Sequence, residues 1–270
     1  MKTLVFTLCF IIESYAAFEF SATNAFLKGM ANSTIATTQF FSAFLLNPAI
    51  SSAVKEGNLG LTYFKPYGIS ELNYAGLVFN IPFKNIGTGL AVSTFGNQLY
   101  RESQFIINFS KSFFKNKLFA GFNTHWYSVS VERYGNTNSL GMDAGLQYVI
   151  NSKMLIGFSI HNFNQPELNG CQEEIPVITN WGISVGVDDR FHAYLAIQKD
   201  AWFPLNFMLG MNFKASSTFS VQSGFSTYPS SPTIGFYLER SKIRVNYVFQ
   251  YHFDLGVTHL WGVSFHKKAK

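Results

Sequence analysis

The stretch that most constrains the fold of this chain is residues 205–225, where apolar and polar side chains alternate. Large apolar side chains occupy every second position from Leu205 to Phe213, and mostly small or polar residues lie between them. A period of two predicts a β-strand with one apolar face. Residues 214–217 then supply a turn, and the alternation resumes as far as Phe225. The stretch therefore predicts an antiparallel hairpin with large apolar groups on one side.

The same alternation recurs along most of the chain and predicts about fourteen strands. The faces opposite the apolar ones are rich in Gly, Ser and Asn, which indicates a barrel with lipid outside and a polar lumen. The predicted fold is all-β, a transmembrane antiparallel up-and-down β-barrel, and a soluble barrel stays open as the alternative. The predicted strands are 58–65, 72–83, 87–95, 100–113, 117–131, 139–150, 153–163, 177–187, 191–199, 205–214, 218–226, 233–239, 243–252 and 257–265.

Composition favours a surface that faces lipid. Aromatic residues make up 17% of the chain and charged residues only 13%, whereas soluble domains average about 25% charged residues. No strongly apolar run long enough for a spanning helix follows the N-terminus. The net charge of +5 comes from basic residues spread over turns and the C-terminus, so no nucleic-acid site is predicted.

The connections alternate in length, as a meander between two sides of a membrane requires. Short polar turns are assigned to the periplasm, and the longer connections between them to the outside. The short turns lie at 84–85, 115–116, 151–152, 188–189, 216–217 and 240–241, and the longer ones at 66–71, 134–138, 164–176, 200–204 and 227–232.

The first residues have the pattern of a signal peptide. Lys2 supplies the charged region, residues 4–12 supply the apolar region, and cleavage is expected after Ala16 or after Ala17. The predicted organisation is therefore a signal peptide at 1–16, a plug segment at 17–56 and a barrel at 57–270. Export combined with membrane-type strands predicts the outer membrane of a bacterium, with membrane lipid as a partner.

The segment before the first strand does not alternate. Pro48 ends or kinks any helix that reaches it, so a short helical or irregular segment inside the barrel mouth is predicted. A loose periplasmic tail is the alternative. The residues expected to form the plug are Phe44, Leu45, Leu46, Asn47 and Pro48.

Several polar residues fall on inward faces of the predicted strands. A wet lumen accounts for them without any ligand, so no metal and no cofactor is predicted, and Asp143 and Arg244 could pair across the lumen. The residues predicted to face the lumen are His125, Asp143, Gln147, His192, Asn206, Asn212 and Arg244.

Two patterns could suggest hydrolysis. Residues 182–186 match the Gly-x-Ser-x-Gly motif around Ser184, but that chemistry needs a sharp strand-to-helix turn and here the motif lies inside an alternating strand. His252 and Asp254 share the last external loop. An outer-membrane hydrolase therefore stays open as an alternative, and the chain is predicted not to be an enzyme.

Four short motifs, in order, resemble the PorV/PorQ-type branch of the FadL-like outer-membrane barrels of the Bacteroidetes kind. Residues 46–49 resemble that family's "NPA" segment, and residues 96–102 its third hairpin connection. Residues 142–148 resemble its "D-x-G-x-x-Y" strand, with Asp143, Gly145 and Tyr148 matching. Residues 255–259 resemble its closing "G-x-x-H" strand.

The resemblance implies a fourteen-stranded barrel with an N-terminal segment in the lumen. It also implies passage of hydrophobic small molecules, or a role in type IX secretion with periplasmic or secretion proteins as partners. The segment before the barrel is short for a full FadL hatch, and a basic tail follows Phe265. A purely structural membrane scaffold is the remaining alternative.

Overall fold

The computed structural model describes Phe18 and residues 23–168 and 173–267. Within those residues, fourteen strands close into one antiparallel barrel, in which each strand pairs with its neighbour along the chain and the first pairs with the last. The barrel strands are β1 (Gly57–Lys65), β2 (Asn73–Phe83), β3 (Ile86–Gly96), β4 (Tyr100–Phe113), β5 (Leu118–Val131), β6 (Gly135–Val149), β7 (Met154–His161), β10 (Ile178–Gly186), β11 (Phe191–Asp200), β12 (Asn206–Lys214), β13 (Phe219–Thr227), β14 (Ser230–Arg240), β15 (Ile243–His252) and β16 (Gly256–Lys267).

The remaining strands, β8 (Glu167–Leu168) and β9 (Glu173–Glu174), pair only with each other in the connection between β7 and β10. The barrel fold and the number of strands predicted from the sequence are confirmed. The predicted signal peptide lies outside the described residues.

The period of two decides which side of the wall each residue faces. In β12, Leu209 and Met211 are 48% and 47% exposed, whereas Asn212 is 4% exposed. The same contrast holds around the barrel, where the outward positions carry Leu, Ile, Val and aromatic side chains. An apolar exterior around a polar interior is the arrangement of a transmembrane barrel.

Tight turns close the end of the barrel assigned to the periplasm. Asp188 Oδ1 accepts hydrogen bonds from the backbone N–H groups of Arg190 and Phe191, at 2.8 and 2.7 Å. These bonds hold the pKa of the exposed Asp188 carboxyl below its usual range. Ser216 Oγ accepts from the N–H groups of Thr218 and Phe219 in the same way. Local side-chain caps therefore fix these turns, as their polar sequences predict.

Helical structure is short. The helix α1 (Ala25–Lys28) and two 3-10 helices (Phe41–Leu45 and Pro48–Ser52) precede the barrel, and a third 3-10 helix (Pro66–Gly68) follows β1. No helix in the described part of the chain is long and apolar enough to cross a membrane.

The sequence predicts an external loop at 164–176, and its described parts, residues 164–168 and 173–176, contain the paired strands β8 and β9. Leu168 of β8 and Ile175, which follows β9, are buried with Phe18 against Tyr127 and Val129 of the barrel wall. Leu168 and Ile175 are apolar, and burying them removes them from water. The described parts of the connection therefore pack against the external end of the wall.

Substitution by Arg on the lipid side tests this orientation. Leu209→Arg, midway along β12, should lower the free energy of unfolding by about 2–4 kcal/mol, because the charge enters the apolar part of the bilayer. Phe114→Arg, in an exposed turn, is the matched control and should cost about 0–1 kcal/mol. Urea unfolding in lipid vesicles, followed by tryptophan fluorescence, measures both. Equal losses at the two positions would contradict the assignment of the outer face.

Candidate functional site

The lumen of the barrel contains residues 24–54, which we call the plug. Almost all of the plug is buried, and its apolar side chains pack on inward residues of the wall. The residues predicted to form it lie there: Phe44, Leu45, Asn47 and Pro48 are buried and Leu46 is half-buried. Thr38 and Gln39 are the only exposed residues of the described plug.

Inward glycines let the plug backbone lie directly against the wall. A Cβ atom built on Gly145 would lie 2.1 Å from Asn47 Oδ1, and one on Gly121 would lie 2.2 Å from the carbonyl oxygen of Pro48. Neither distance leaves room for a methyl group. We call the glycines that meet the plug in this way the glycine belt: Gly60, Gly87, Gly89, Gly121, Gly145, Gly157, Gly182, Gly210, Gly224 and Gly262.

Asn47 connects three parts of the structure. Its Nδ2 atom donates to the carbonyl oxygens of Ile35, at 2.8 Å, and of Leu146 in β6, at 3.0 Å. Its Oδ1 atom accepts from the N–H of Ala49 at 3.1 Å and so caps the 3-10 helix that begins at Pro48. Pro48 has no N–H of its own to leave unpaired at this position. Asn47 therefore ties the plug to itself and to the barrel wall.

Amide side chains of the wall pair with the plug backbone. Asn108 Nδ2 donates to the carbonyl oxygen of Pro48 at 2.9 Å, and Asn123 Nδ2 to that of Phe44 at 3.2 Å. Gln147 Oε1 accepts from the N–H of Thr37 at 2.8 Å. A buried backbone polar group without a partner is costly, so these contacts are what allow an irregular segment to be buried in the barrel.

A histidine–aspartate cluster lies beside the plug. Asp143 is fully buried, and its Oδ2 atom accepts from His125 Nε2 and from His161 Nδ1, the latter at 2.9 Å. Its Oδ1 atom accepts from the N–H of Asn162 at 3.0 Å. Hydrogen bonds from several donors stabilise a buried carboxylate.

The pairing of Asp143 with Arg244 considered from the sequence is wrong. Arg244 Nη2 instead lies 2.7 Å from Glu239 Oε2 on the neighbouring strand, and the guanidinium lies 5.0 Å from the ring centroid of Tyr237. The plug occupies the space that an Asp143–Arg244 contact would have to cross. Local partners on adjacent strands therefore satisfy both charges.

His161 carries the contact from this cluster to the plug. Its Nδ1 faces the Asp143 carboxylate, and its Nε2 lies 2.9 Å from the carbonyl oxygen of Leu46. Because both partners are acceptors, the pattern assigns a proton to each ring nitrogen. Ser159 Oγ donates to the same Leu46 oxygen at 2.7 Å. Ser159 and His161 both donate to the carbonyl oxygen of Leu46, and we call this pair of residues the clamp.

The clamp has the residue types of a hydrolytic triad but not the roles. Ser159 Oγ is 3.3 Å from His161 Nε2, and a triad needs that nitrogen to accept the serine proton. Here both groups donate to Leu46 instead. The arrangement therefore binds the plug and does not activate a nucleophile.

The other residues predicted to face the lumen lie in two places. Asn206 Oδ1 accepts from the N–H groups of Thr227 and Tyr228, so it caps the external connection between β13 and β14. His192, Asn212 and Arg244 instead line a polar cavity of about 300 Å³ at the opposite end of the barrel. The predicted set is therefore not one site.

That polar cavity lies beside the exposed part of the plug. Gln39 lines it, with its Nε2 atom 2.7 Å from His192 Nε2. Arg190 and Lys214 also lie on its wall. The cavity is thus a water-compatible vestibule below the plug, on the side of the predicted periplasmic turns.

The residues that suggested hydrolysis do not form a site. Ser184 lies within β10 and is buried, without the sharp turn that a nucleophile elbow needs. His252 Nδ1 accepts from the N–H groups of Asp254 and Leu255 and so closes the external turn. In the described part of the chain, no group of three His, Cys, Asp or Glu side chains is placed to hold a metal ion.

The sequence reasoning missed several residues that hold the plug. Asn108, Asn123 and Ser159 all lie at inward positions of alternating strands, so extending the strand-by-strand assignment of faces would have found them. Ile35 has no such signal, because the plug has no period from which its contacts could be read.

Comparison with known proteins shows a shared fold. No protein-family model and no curated protein matches the sequence. The monoaromatic hydrocarbon channel CymD is similar in structure, with a TM-score of 0.71 at 15% identity over 94% of this chain and 99% of that chain. The P. putida toluene transporter TodX has a TM-score of 0.67 at 12% identity, over 92% and 98% of the two chains. A Pseudomonas aeruginosa FadL homologue has a TM-score of 0.61 at 12% identity, over 90% and 98%.

At identities this low the likeness shows the fold alone, a closed barrel that this chain shares with CymD, TodX and the FadL homologue. CymD is described as a monoaromatic hydrocarbon channel and TodX as a toluene transporter. The finer assignment to the PorV/PorQ branch stays a prediction.

The glycine belt can be tested with a single methyl group. Gly121→Ala should destabilise the protein by about 1–3 kcal/mol, because the new Cβ meets plug backbone that cannot rotate away. Gly57→Ala is the matched control, since the nearest atom to its Cβ is 3.7 Å away. Chemical unfolding in detergent measures both variants. A Gly121→Ala protein as stable as the Gly57→Ala protein would show that the plug does not lie against β5.

Proposed function

We propose that this protein is a bacterial outer-membrane channel that passes small hydrophobic molecules when the plug moves. The observation that carries the proposal is the plug itself, which fills the lumen and is held there by hydrogen bonds and packing alone among the described residues. The plug can change these contacts without disrupting the barrel wall, because the strands of the wall form hydrogen bonds with one another and not with the plug. The geometry therefore suits a gated channel.

The hydrophobic character of the solute follows from apolar side chains of the wall that surround the plug. Val78, Ala91 and Ile106 of the wall point inward and contact the apolar residues of the plug. A further inward cluster contains Phe64, Tyr74 and Leu260. Displacement of the plug would leave apolar surface that an apolar solute can cover. The names of CymD and TodX, a monoaromatic hydrocarbon channel and a toluene transporter, support the same class.

The outer membrane is the proposed location because the wall has an apolar exterior and the chain begins with the pattern of a signal peptide. Lipid then covers the outward side chains, and the polar vestibule opens to the periplasm. A solute that passed the plug would leave through this vestibule.

Uptake by cells tests the proposal. Cells of a Gram-negative host without channels of this kind should take up radiolabelled toluene faster when they contain the protein than when they contain an empty vector. Deletion of residues 24–53 should raise uptake of a polar sugar as well, because the lumen then holds water. A Ser159→Ala/His161→Leu double variant should give an intermediate leak, since it removes the clamp and leaves the plug in place.

The control for the clamp variant is Leu209→Val, a conservative change on the lipid side. Each variant is first checked for faster gel migration without boiling than with boiling, which shows a folded barrel. If the folded intact protein takes up toluene no faster than the empty vector, the channel proposal fails.

A secretion-associated scaffold, with periplasmic or secretion proteins as partners, is the second candidate. The observation that favours it is the filled lumen, because a scaffold needs no pathway for a solute. The uptake experiment separates the two candidates, since a scaffold predicts no toluene uptake by the intact protein. A type IX secretion role has the PorV/PorQ resemblance as its support.

A further inference from the structure

The contact between the clamp and the plug depends on one proton. His161 Nδ1 lies 2.9 Å from Asp143 Oδ2, and His161 Nε2 lies 2.9 Å from the carbonyl oxygen of Leu46. A carboxylate and a carbonyl oxygen can only accept hydrogen bonds, so each contact needs a hydrogen on the ring. A neutral imidazole carries one such hydrogen and the charged imidazolium carries two. The clamp is therefore complete only when His161 is charged.

Asp143 is the carboxylate that this charge requires. Its Oδ1 atom accepts from the N–H of Asn162 at 3.0 Å, and its Oδ2 atom accepts from Asn123 Nδ2 at 3.2 Å. Donors at both oxygens leave no place for a carboxyl hydrogen. The side chain is fully buried, and a buried carboxylate needs a partner of opposite charge. A charged His161 supplies that partner.

The second histidine at Asp143 has a different pattern. His125 Nε2 faces the Asp143 carboxylate, and Gln104 Nε2 lies 2.8 Å from His125 Nδ1. Because an amide nitrogen donates, His125 Nδ1 accepts, and this ring carries a single hydrogen. Tyr127 on the same strand is neutral, since its hydroxyl donates to Asn162 Oδ1 at 2.9 Å. The positive charge of the cluster therefore belongs to His161.

The elements packed around His161 offer it one charged neighbour. Apart from Asp143, strands β5, β6, β7 and β10 and plug residues 35–54 contain no Asp, Glu, Lys or Arg. Two carboxylates of the external connection, those of Glu167 and Glu174, are exposed on the β8–β9 hairpin. The charge state of His161 is therefore set by its pairing with Asp143 and by its contact with the plug.

Loss of one proton leaves the clamp short of a hydrogen. A neutral His161 that still donates to Asp143 would turn the lone pair of Nε2 toward the lone pairs of the Leu46 oxygen. Ser159 Oγ lies 2.7 Å from that oxygen and 3.3 Å from His161 Nε2, and it already accepts from Asn180 Nδ2. Its single hydrogen can serve Leu46 or the imidazole but not both. One acceptor therefore loses its partner in a buried site, which is costly.

We propose that the clamp is a proton-dependent switch, which holds the plug at Leu46 while His161 is charged and loosens it when the ring loses its Nε2 proton. Histidine is the side chain that changes its charge closest to neutral pH. The plug is therefore held firmly at low pH and less firmly as the pH rises. This regulation rests on the proposed function of a channel closed by its plug, but it concerns the seat of the plug and not the solute.

Solid-state NMR of the full-length protein in lipid bilayers, with its histidine rings labelled with nitrogen-15, tests the charge directly. At pH 6 both ring nitrogens of His161 should carry a hydrogen, whereas His125 should carry one. The signals of His161 are identified by their absence from the His161→Gln protein. A His161 ring with only one protonated nitrogen at pH 6 would overturn the proposal.

Efflux of radiolabelled sucrose from phosphatidylcholine vesicles tests the consequence for the plug. The wild-type protein should release sucrose roughly tenfold faster at pH 9.5 than at pH 6, the effect of losing one hydrogen bond from a charged donor. His161→Gln has an amide donor at every pH, so its efflux should be the same at both. The matched control is His259→Gln, which removes an exposed histidine of β16 and should keep the tenfold ratio. An equal ratio in the wild-type and His161→Gln proteins would contradict the switch.

Asp143→Asn tests the source of the charge. The amide offers no negative charge to the ring, so the rise in sucrose efflux should begin at a lower pH than in the wild type. Gel migration with and without boiling shows whether this variant is a folded barrel, and a folded variant with the wild-type pH profile would overturn the role of Asp143. If the variant does not fold, the NMR signals of the wild-type protein decide the same question.

The outcomes for the switch and for the channel can be told apart. A protein that passes no toluene but shows the pH-dependent efflux of sucrose would refute the channel and support the switch. Toluene uptake combined with sucrose efflux that is independent of pH would support the channel and refute the switch.

Discussion

An irregular segment can be buried inside a barrel only if its backbone hydrogen bonds are satisfied there, and the rest of this structure depends on that constraint. The barrel strands use their own N–H and C=O groups for each other, so the plug backbone groups that its own turns leave without a partner rely on side chains of the wall. Asn123 donates a hydrogen bond to the carbonyl oxygen of Phe44, and Asn108 donates one to that of Pro48. The clamp donates to the carbonyl oxygen of Leu46. The polar lumen is therefore a binding surface for this segment and not simply a wet interior.

The same constraint explains why glycine is so frequent on the inward face. Glycine weakens an isolated strand, because it has no side chain to pack. At Gly121 and Gly145 the missing side chain lets Pro48 and Asn47 approach the wall closely enough for their hydrogen bonds. Packing against the plug then replaces packing by a side chain. The lipid face of the same strands keeps its large apolar groups. The alternating pattern therefore suits the plug on the inward face and lipid on the outward face.

Much of the fold could be predicted from the sequence, because the period of two is a local property of each strand. That period alone places Leu209 and Asn212 on opposite faces, and their burial differs accordingly, at 48% and 4% exposed. Contacts across the lumen could not be predicted in this way. The pairing of Asp143 with Arg244 that the sequence allows does not form, because distances across a barrel depend on what fills it. The packing of Leu168 and Ile175 against the wall involves Phe18, which is distant in sequence.

The central claim is that side chains of the wall hold the plug as a folded part of the protein. Hydrogen–deuterium exchange of the protein in lipid nanodiscs tests it most directly, with the wild type compared with Asn47→Ala. Amides of residues 35–51 should be protected in the wild type to a degree similar to those of β12, and Asn47→Ala should release the plug amides while the strands stay protected. Rapid exchange of the wild-type plug in a protein whose strands are protected would contradict the account.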